Sequence, residues 1–376
     1  MRPNQSHSSK FCRSVARIVG TCSFPATLLA LMVSLSIDVA MAQERNDQFR
    51  LGGFTVEPGT TLRDFLQVSD GDDASTVIPI TVHNGVSEGP VLALIAGIHG
   101  SEYSPILSMQ EVAGLINPAV LSGTVVIVHI ANMPAFTGRT IYFGPQDLKN
   151  LNRSFPGDPN GSVTQRIAHV LTSEVIAQSD YLLDIHSGDA NESLRPSYSA
   201  YYAEAGGAEV IAQSRRIAVA FGLETIVQFS GDYDSLDEAI YTSAQAVERG
   251  VPAMDVESGE LGIIDQRSIK PITDGVVNVM RELDMIEGDP VLPNNPLFIN
   301  SRGRVYSEHN GIWYPDPLVS TGDYVTEGTI LGRITDYHGA ELQEVVAPAS
   351  GVLLILFGTP PVNEGDNIVV VGRVAE

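Results

Sequence analysis

Runs of continuous apolar residues alternate with runs of helical spacing between residues 85 and 290. Four apolar runs predict buried strands: "GPVLALIAGIHG", "GTVVIVHIAN", "DYLLDIHSG" and "VPAMDVESG". Helices are predicted by the spacing in "SPILSMQEVAGLI", "GSVTQRIAHVLTSEVIA", "AEVIAQSRRIAVAFG" and "ITDGVVNVMRELDMI". This alternation predicts an α/β domain with a mixed or parallel sheet and helices on both faces. The alternating stretch "TVIPITVHNG" predicts a strand at the sheet edge.

The pattern changes after "EGDPVLPNNP". From about residue 297, short β runs separated by Gly, Pro and Asp turns replace the helical spacing. We therefore predict a domain boundary near residue 290, with a larger α/β domain at 43–289 and a smaller all-β domain at 290–376.

The first 42 residues have the pattern of a secretory signal peptide. Basic residues precede the apolar stretch "FPATLLALMVSLSI", and Ala40-Met41-Ala42 forms a small-x-small cleavage sequence. A retained N-terminal anchor is the alternative. A signal peptide predicts a periplasmic or secreted protein, with no membrane association after its removal. Because both cysteines lie in this segment, residues 43–376 contain no disulfide, thiolate ligand or cysteine nucleophile.

The charge of the chain is strongly negative. The full sequence carries a formal net charge of -23, and without residues 1–42, which hold four basic and one acidic residue, it carries -26. The acidic residues are dispersed rather than grouped in a block. Bulk electrostatics therefore argue against binding to nucleic acid or to an anionic membrane, and an anionic substrate needs a local basic pocket.

Histidine and glutamate residues occur where three of the predicted strands end. His99 and Glu102 follow the first strand, His186 ends "LLDIH", and Glu257 ends "AMDVE". Ligands of open α/β sheets bind at the carboxyl ends of strands, so these side chains are expected to converge. Two histidines and one glutamate are a catalytic zinc ligand set that leaves a position open for water. Other divalent ions also suit such a set.

Two further carboxylates have candidate roles at this edge. Glu257 is a candidate general base and acid that carries a proton to a leaving amine. Asp184, two residues before His186 on the same strand face, is a candidate to orient a ligand imidazole, of either histidine. The alternative for His99 and Glu102 alone is a loop histidine and a glutamate favoured by a helix dipole.

Arginine residues supply candidate contacts for a substrate anion. Arg139 and Arg153, with Asn152, occur in "GRTIYFGPQDLKNLNRSFPG", between a strand and a helix, and Arg195 follows His186 in "NESLRPSY". A guanidinium can hold a carboxylate through two parallel hydrogen bonds or stabilise an oxyanion. Unpaired surface arginines are the alternative.

Four ordered motifs resemble the succinylglutamate desuccinylase/aspartoacylase family, which is related to the M14 zinc carboxypeptidases. They are "GIHGSE", "NLNRSFPG", "LLDIHSG" and "VESG", and the resemblance covers roughly residues 85–376. It implies one Zn²⁺ per chain, bound by His99, Glu102 and His186, with Glu257 as catalytic carboxylate. It also implies that Asn152 and Arg153 contact the substrate, and Arg139 is similar to an arginine that precedes this pair in aspartoacylases.

The region after residue 290 is similar to a biotinyl/lipoyl-like β-sandwich. A carrier domain of that kind needs a lysine at a hairpin tip, and the last lysine of the chain is Lys270. Cofactor attachment is therefore excluded there. In relatives such a domain leans over the active site, which implies small substrates.

The main hypothesis is a zinc-dependent deacylase that cleaves the amide bond of N-acyl amino acids with a metal-activated water. Arg153 would help to hold the substrate or stabilise the oxyanion. One alternative is a metallocarboxypeptidase of the M14 type acting on short peptides or cell-wall fragments, which would use the same metal ligands. Another is a non-enzymatic binding protein with a degenerate site.

Overall fold

The computed structural model describes residues 46–375, and the predicted signal peptide at 1–42 lies outside the described residues. The strands of this part of the chain are β1 (Phe49–Leu51), β2 (Phe54–Val56), β3 (Thr60–Val68), β4 (Thr76–Asn84), β5 (Ser87–Ala96), β6 (Ser122–Val128), β7 (Tyr181–His186), β8 (Glu192–Leu194), β9 (Tyr198–Tyr202), β10 (Thr225–Phe229), β11 (Ala253–Glu257), β12 (Leu297–Tyr306), β13 (Gly311–Pro315), β14 (Tyr324–Val325), β15 (Ile330–Thr335), β16 (Glu341–Val346), β17 (Gly351–Phe357), β18 (Pro361–Val362) and β19 (Asn367–Val374). Its α-helices are α1 (Tyr103–Leu115), α2 (Met133–Gly138), α3 (Val163–Val170), α4 (Gly207–Ala220), α5 (Thr242–Glu248) and α6 (Gln266–Glu282). Between residues 46 and 375, none of the helices has the length and apolar character to cross a membrane.

A mixed sheet of 13 strands forms the centre of the fold. Its order is β14-β17-β19-β12-β10-β9-β11-β7-β5-β6-β4-β3, and β8 pairs with β17. The middle of the sheet is largely parallel, because β11, β7, β5 and β6 run in the same direction. The predicted mixed α/β sheet with flanking helices is therefore present.

Helices cover both faces of this sheet, as the continuous apolar strands require. On β5, the side chains of Ala93 and Ile95 pack into one buried cluster with residues of α3 and α5. Leu92 and Leu94, on the opposite face, pack into a second cluster with residues of α1, α4 and α6. Buried apolar rows on alternate sides hold the strand ends that carry the candidate site in fixed positions.

The strands after residue 290 divide between two sheets. Strands β12, β14, β17 and β19 extend the large sheet, whereas β16, β15, β13 and β18 form a separate antiparallel sheet of four. A buried cluster around Trp313 lies in this region, and the Trp313 indole N–H donates to the carbonyl of Phe357 at 2.8 Å. The regular elements between residues 297 and 374 are all strands, as predicted, but half of these strands continue the main sheet. The boundary near residue 290 stays a prediction.

Several elements differ from the expectations in detail. The stretch "TVIPITVHNG" forms β4, which lies between β3 and β6, so the edge strand is β3. The helix predicted from "GSVTQRIAHVLTSEVIA" ends as α3 at Val170 and continues as a π turn and a 3-10 turn to Gln178. Strands β9 and β10 and helix α5 had no prediction.

Candidate metal centre

Three adjacent parallel strands bring the candidate ligands to one edge of the sheet. Strands β5, β7 and β11 lie side by side in that order. His186 is the last residue of β7, and Glu257, the last residue of β11, lies directly opposite it. His99 and Glu102 lie in the turn between β5 and α1. The predicted convergence at the carboxyl ends of these strands is present.

Glycine residues allow the tight turn that carries His99. Gly97 has a φ of +69°, which L side chains rarely adopt. A Cβ on Gly100 would lie 2.4 Å from the carbonyl oxygen of Thr140, so only glycine fits against that segment. The turn ends with Glu102 as the residue before α1, with its carboxylate directed to the site: Glu102 Oε2 accepts from the His99 backbone N–H at 3.0 Å.

The side-chain atoms of His99, Glu102 and His186 meet at one point. Glu102 Oε1 lies 3.1 Å from His99 Nδ1 and 2.8 Å from His186 Nδ1. One ligand atom from each residue lies within 4.8 Å of the other two, and all three residues are buried. Because two imidazole nitrogens and one carboxylate oxygen face each other without an intervening side chain, this set has the geometry of a mononuclear metal site.

Each imidazole lies beside a second carboxylate, at the other ring nitrogen in His186 and at the same nitrogen, Nδ1, in His99. His186 Nε2 lies 3.1 Å from Asp184 Oδ1, at ion-pair distance, and Asp184 is fully buried. Asp189 Oδ2 lies 3.2 Å from His99 Nδ1, and the Ser101 hydroxyl donates to Asp189 Oδ1 at 2.8 Å. The contact between Asp184 and His186 is one of charge alone, since neither Asp184 Oδ1 nor His186 Nε2 makes a hydrogen bond among residues 46–375.

The charges of the cluster favour a bound cation. Burial opposes protonation of His99, but Asp189 and Glu102 outweigh it and raise the pKa of His99 to about 10. Burial likewise opposes protonation of His186, but Asp184 and Glu102 raise its pKa well above the usual range. Burial would raise the pKa of Glu102, but the two imidazoles lower it. A divalent ion can replace the imidazole protons among these carboxylates.

Glu257 lies beside His186, and one oxygen of its carboxylate has no hydrogen-bond partner among residues 46–375. Its Oε2 is buried and makes no hydrogen bond within the described part of the chain. Burial raises the pKa of Glu257 well above its usual range, and the neighbouring Glu102 and Glu192 add to this, although His186 acts against it. A carboxyl group with a raised pKa and an unpartnered oxygen has the chemistry that a general acid and base requires.

Asn152 and Arg153 follow Asn150, whose side chain contacts the His99 ring. Asn150 Oδ1 lies 3.2 Å from His99 Nε2 and accepts the backbone N–H of Asn152 at 2.8 Å. Asn152 is buried and its Oδ1 accepts from the backbone N–H of Thr242. The Arg153 guanidinium lies 4.3 Å from the centroid of the Tyr241 ring.

The other two candidate arginines lie in different surroundings. Arg139 is exposed at the end of α2, with a φ of +57°. Arg195 is bound to Glu260, with Nε at 2.7 Å from Oε1. Substrate contact by Asn152, Arg153, Arg139 and Arg195 stays a prediction.

Several residues of the site were not among the sequence candidates. Asn150 precedes the predicted Asn152 by two residues, and Asp189 follows His186 by three, so proximity to the motifs was the only signal. Tyr142 contacts the His99 ring edge-on, with centroids 5.6 Å apart. Its hydroxyl donates to Glu192 Oε1 at 3.0 Å, and burial with Asp189 raises the pKa of Glu192 to about 7.

A family of known proteins and one individual protein are similar to this chain in sequence. The family described as "Succinylglutamate desuccinylase/Aspartoacylase catalytic domain" matches residues 88–283. A protein of Halomonas elongata named N-alpha-acetyl-L-2,4-diaminobutyric acid deacetylase is 33% identical over 322 residues, which cover 83% of this chain and 90% of that protein.

Solved structures share the fold. A succinylglutamate desuccinylase from Silicibacter sp. TM1040 has a TM-score of 0.73 at 26% identity, covering 85% of this chain and 97% of that one. The product-bound ectoine utilization protein EutE (DoeB) from Ruegeria pomeroyi has a TM-score of 0.76 at 24% identity, covering 88% and 99%. Together with the family match and the deacetylase relative, these likenesses place the chain in the succinylglutamate desuccinylase/aspartoacylase family.

Proposed function

We propose that this chain is a zinc-dependent hydrolase that cleaves the amide bond of N-acyl amino acids. The observation that carries the proposal is the convergence of His99, Glu102 and His186 beside Glu257, whose Oε2 is buried and has no hydrogen-bond partner among residues 46–375. A binding protein would need the ligands but not a buried carboxylate oxygen without a partner, because such an atom costs free energy unless it has a role.

The three ligand residues would hold one Zn²⁺ per chain. When bound, zinc lowers the pKa of a water molecule towards neutrality and polarises a carbonyl group. Glu257 would take a proton from the attacking water and deliver it to the nitrogen of the leaving amine, so that the amide yields a carboxylic acid and an amine. Asp184 would keep the His186 ring in place during this exchange.

Contacts to the substrate would come from the segment after α2. Asn150 contacts the His99 ring and accepts the backbone N–H of Asn152, and the guanidinium of the next residue, Arg153, lies over the Tyr241 ring. Arg153 would hold the substrate or stabilise the developing oxyanion, since a guanidinium presents several donors in one plane.

The relatives support a small substrate with an acetyl group. The Halomonas elongata relative is named for removal of an acetyl group from 2,4-diaminobutyric acid. We therefore take an N-acetylated diamino acid as the first substrate class to test, with other N-acyl amino acids beside it.

The all-β region after residue 290 would act as a β-sandwich cap over the site and admit only such small molecules. Strand β17 pairs with β8, which carries Glu192 of the site, and the Gly358 backbone N–H donates to the carbonyl of Asn191 at 2.9 Å. This contact between the β region and the loop after His186 favours small acylated amino acids over the peptides of a metallocarboxypeptidase.

The place of action would be the periplasm or the cell exterior, after cleavage behind Ala42. Fractionation of cells expressing the full chain, followed by N-terminal sequencing, tests this. A periplasmic or secreted protein that begins at Gln43 is expected, and a full-length chain in the membrane fraction would instead indicate an anchor.

The activity test uses zinc-loaded protein of residues 43–376 and a panel of N-acyl amino acids and short peptides, with products identified by mass spectrometry. Release of free acyl acid, absent with Glu257→Gln, is the expected result. Release of C-terminal amino acids from peptides would favour the carboxypeptidase. If the zinc-replete protein turned over no member of the panel, the proposed function would be wrong.

A further inference from the structure

Glu192 lies one side chain away from the candidate ligand His99. Its Oε1 accepts from the Tyr142 hydroxyl at 3.0 Å, and the Tyr142 ring contacts the His99 ring edge-on, with centroids 5.6 Å apart. A second route runs through the loop after β7, because the Glu192 backbone N–H donates to the carbonyl of Asp189 at 2.9 Å and Asp189 Oδ2 lies 3.2 Å from His99 Nδ1. Two separate sets of contacts therefore place Glu192 in the wall of the metal centre.

The backbone of Glu192 is held from two sides. Glu192 lies opposite Phe357 in the pairing of β8 with β17, and its carbonyl accepts from the backbone N–H of Leu261 at 2.9 Å. In the same loop after β11, Glu260 Oε2 accepts from the Ser193 hydroxyl at 2.7 Å. Strand pairing and this side-chain anchor give the Glu192 carboxylate a fixed place beside the centre.

The carboxylates of the centre outnumber its cations. Five of them lie around the two imidazoles, and among residues 46–375 none pairs with a lysine or arginine: Glu102, Asp184, Asp189, Glu192 and Glu257. A bound divalent ion offsets two of these negative charges. Burial, with Asp189 nearby, raises the pKa of Glu192 to about 7, as expected of a carboxyl group without a balancing cation. The surplus favours a substrate that brings positive charge.

Glu192 is the carboxylate of this set that is open to a substrate. The other four are a candidate ligand, the candidate proton carrier and the two partners of the imidazoles. Glu192 is half-buried, has no ion pair with an imidazole within the described part of the chain, and accepts from the neutral hydroxyl of Tyr142. Its charge is therefore available to a bound molecule.

An amino group on the substrate side chain has the reach for this place. In an acylated 2,4-diaminobutyrate the side-chain ammonium lies four bonds from the amide nitrogen, about 5 Å, a distance comparable to the phenol ring that separates Glu192 from His99. An ammonium and a carboxylate pair through charge-assisted hydrogen bonds, which are stronger than neutral ones.

We infer that Glu192 binds a cationic amino group on the side chain of the acylated amino acid, and so makes the enzyme specific for N-acyl diamino acids. This inference rests on the proposed function. It gives the diamino acid class a basis in the residues of this chain, and it assigns Glu192 a part in binding and orientation, while the hydrolysis itself stays with the metal centre and Glu257.

The test compares Glu192→Gln with the parent on two substrates of equal shape, Nα-acetyl-2,4-diaminobutyrate and Nα-acetylnorvaline, which has a methyl group in place of the ammonium. Gln keeps an acceptor for the Tyr142 hydroxyl and removes the charge. We expect the parent to prefer the diamino substrate by about 10- to 100-fold in kcat/KM, the effect of a hydrogen bond to a charged group. Glu192→Gln should lose this preference through a higher KM on the diamino substrate, with its KM on acetylnorvaline and its zinc content unchanged.

Glu248→Gln is the matched control. Glu248 is also half-buried and its Oε1 accepts one hydrogen bond, from the Gly206 backbone N–H at 3.0 Å, but it lies at the end of α5. This variant should keep the preference of the parent. Glu192→Asp withdraws the charge by one methylene and should reduce the preference by a few-fold, which provides a second variant if Glu192→Gln is unstable.

The outcomes separate the two proposals. No turnover of any acylated amino acid by the zinc-loaded parent would overturn the proposed function and this inference with it. Turnover by the parent with equal kcat/KM on the two substrates would overturn the role of Glu192 alone. An unchanged preference in a folded Glu192 variant, or equal losses on both substrates in Glu192→Gln, would do the same.

Discussion

Glu257 and His186 lie opposite each other at the ends of neighbouring parallel strands, β11 and β7. One is the candidate proton carrier and the other a candidate metal ligand. Because the strand pairing sets their separation, backbone hydrogen bonds rather than a flexible loop fix the relative position of these two residues. The predictions below test the groups arranged around this pair.

Replacing the carboxylate of Glu257 should remove turnover without removing the metal. In Glu257→Gln the amide has nearly the same shape but cannot accept and return a proton, so kcat should fall by at least about hundredfold with zinc content unchanged. Steady-state kinetics and metal analysis of the same samples measure both. The exposed Glu57→Gln is the control, and full turnover by Glu257→Gln would show that another group carries the proton.

Loss of one imidazole should empty the metal centre. His186→Ala leaves only two ligand residues, so bound zinc should fall from one equivalent to a trace. Zinc should also raise the melting temperature of the metal-free parent by several degrees, because it binds the folded chain, but not that of His186→Ala. His338→Ala, at an exposed histidine, should bind zinc as the parent does. Equal zinc content in His186→Ala would contradict the ligand assignment.

The carboxylate of Asp184, next to His186 Nε2, should increase the affinity of the site for zinc. Asp184→Asn keeps the size of the side chain but weakens its hold on the His186 ring, so zinc affinity should drop about 10- to 100-fold. Competition with a chromophoric chelator measures this change. Asp274→Asn, at an exposed residue paired with Lys270, serves as the control. An unchanged zinc affinity in Asp184→Asn would mean that packing alone orients the ring.

A buried arginine away from the site should matter for stability rather than for activity. Arg166→Met removes the ion pair with Asp73, which keeps the Val163 N–H, and leaves three carbonyls without their donor, so the free energy of unfolding should fall by about 3–5 kcal/mol. Arg216→Met, at an exposed pair with Glu282, should cost less than about 1 kcal/mol. Urea unfolding measures both variants, and similar losses in the two would show that the buried network is weak.

The site residues at the ends of predicted strands could be predicted from the sequence. Apolar runs followed by His or Glu indicated His186 and Glu257, because the end of a buried strand is visible in the hydropathy pattern. Asp189 and Asn150 were not predicted, since loops whose path depends on tertiary packing bring them to His99.

The same reasoning explains which elements had no prediction. Strand β9, "YSAYY", has no alternation of apolar and polar residues because all five of its residues are buried. The short helix α5 contains few large apolar residues, and the contacts of neighbouring segments stabilise it. The continuation of the large sheet into β12, β17 and β19 depends on pairings between residues far apart in sequence, which periodicity does not report.

The pairing of β8 with β17 also has a consequence for how the chain folds. Residues 192–194, beside the candidate metal centre, pair as a strand with residues 355–357. Contacts of such long sequence separation form late and slowly. During synthesis the three candidate ligands leave the ribosome before β17, so β8 must wait for its strand partner. A chain truncated before β17 would carry all three candidate ligands and yet leave β8 beside them unpaired with that strand.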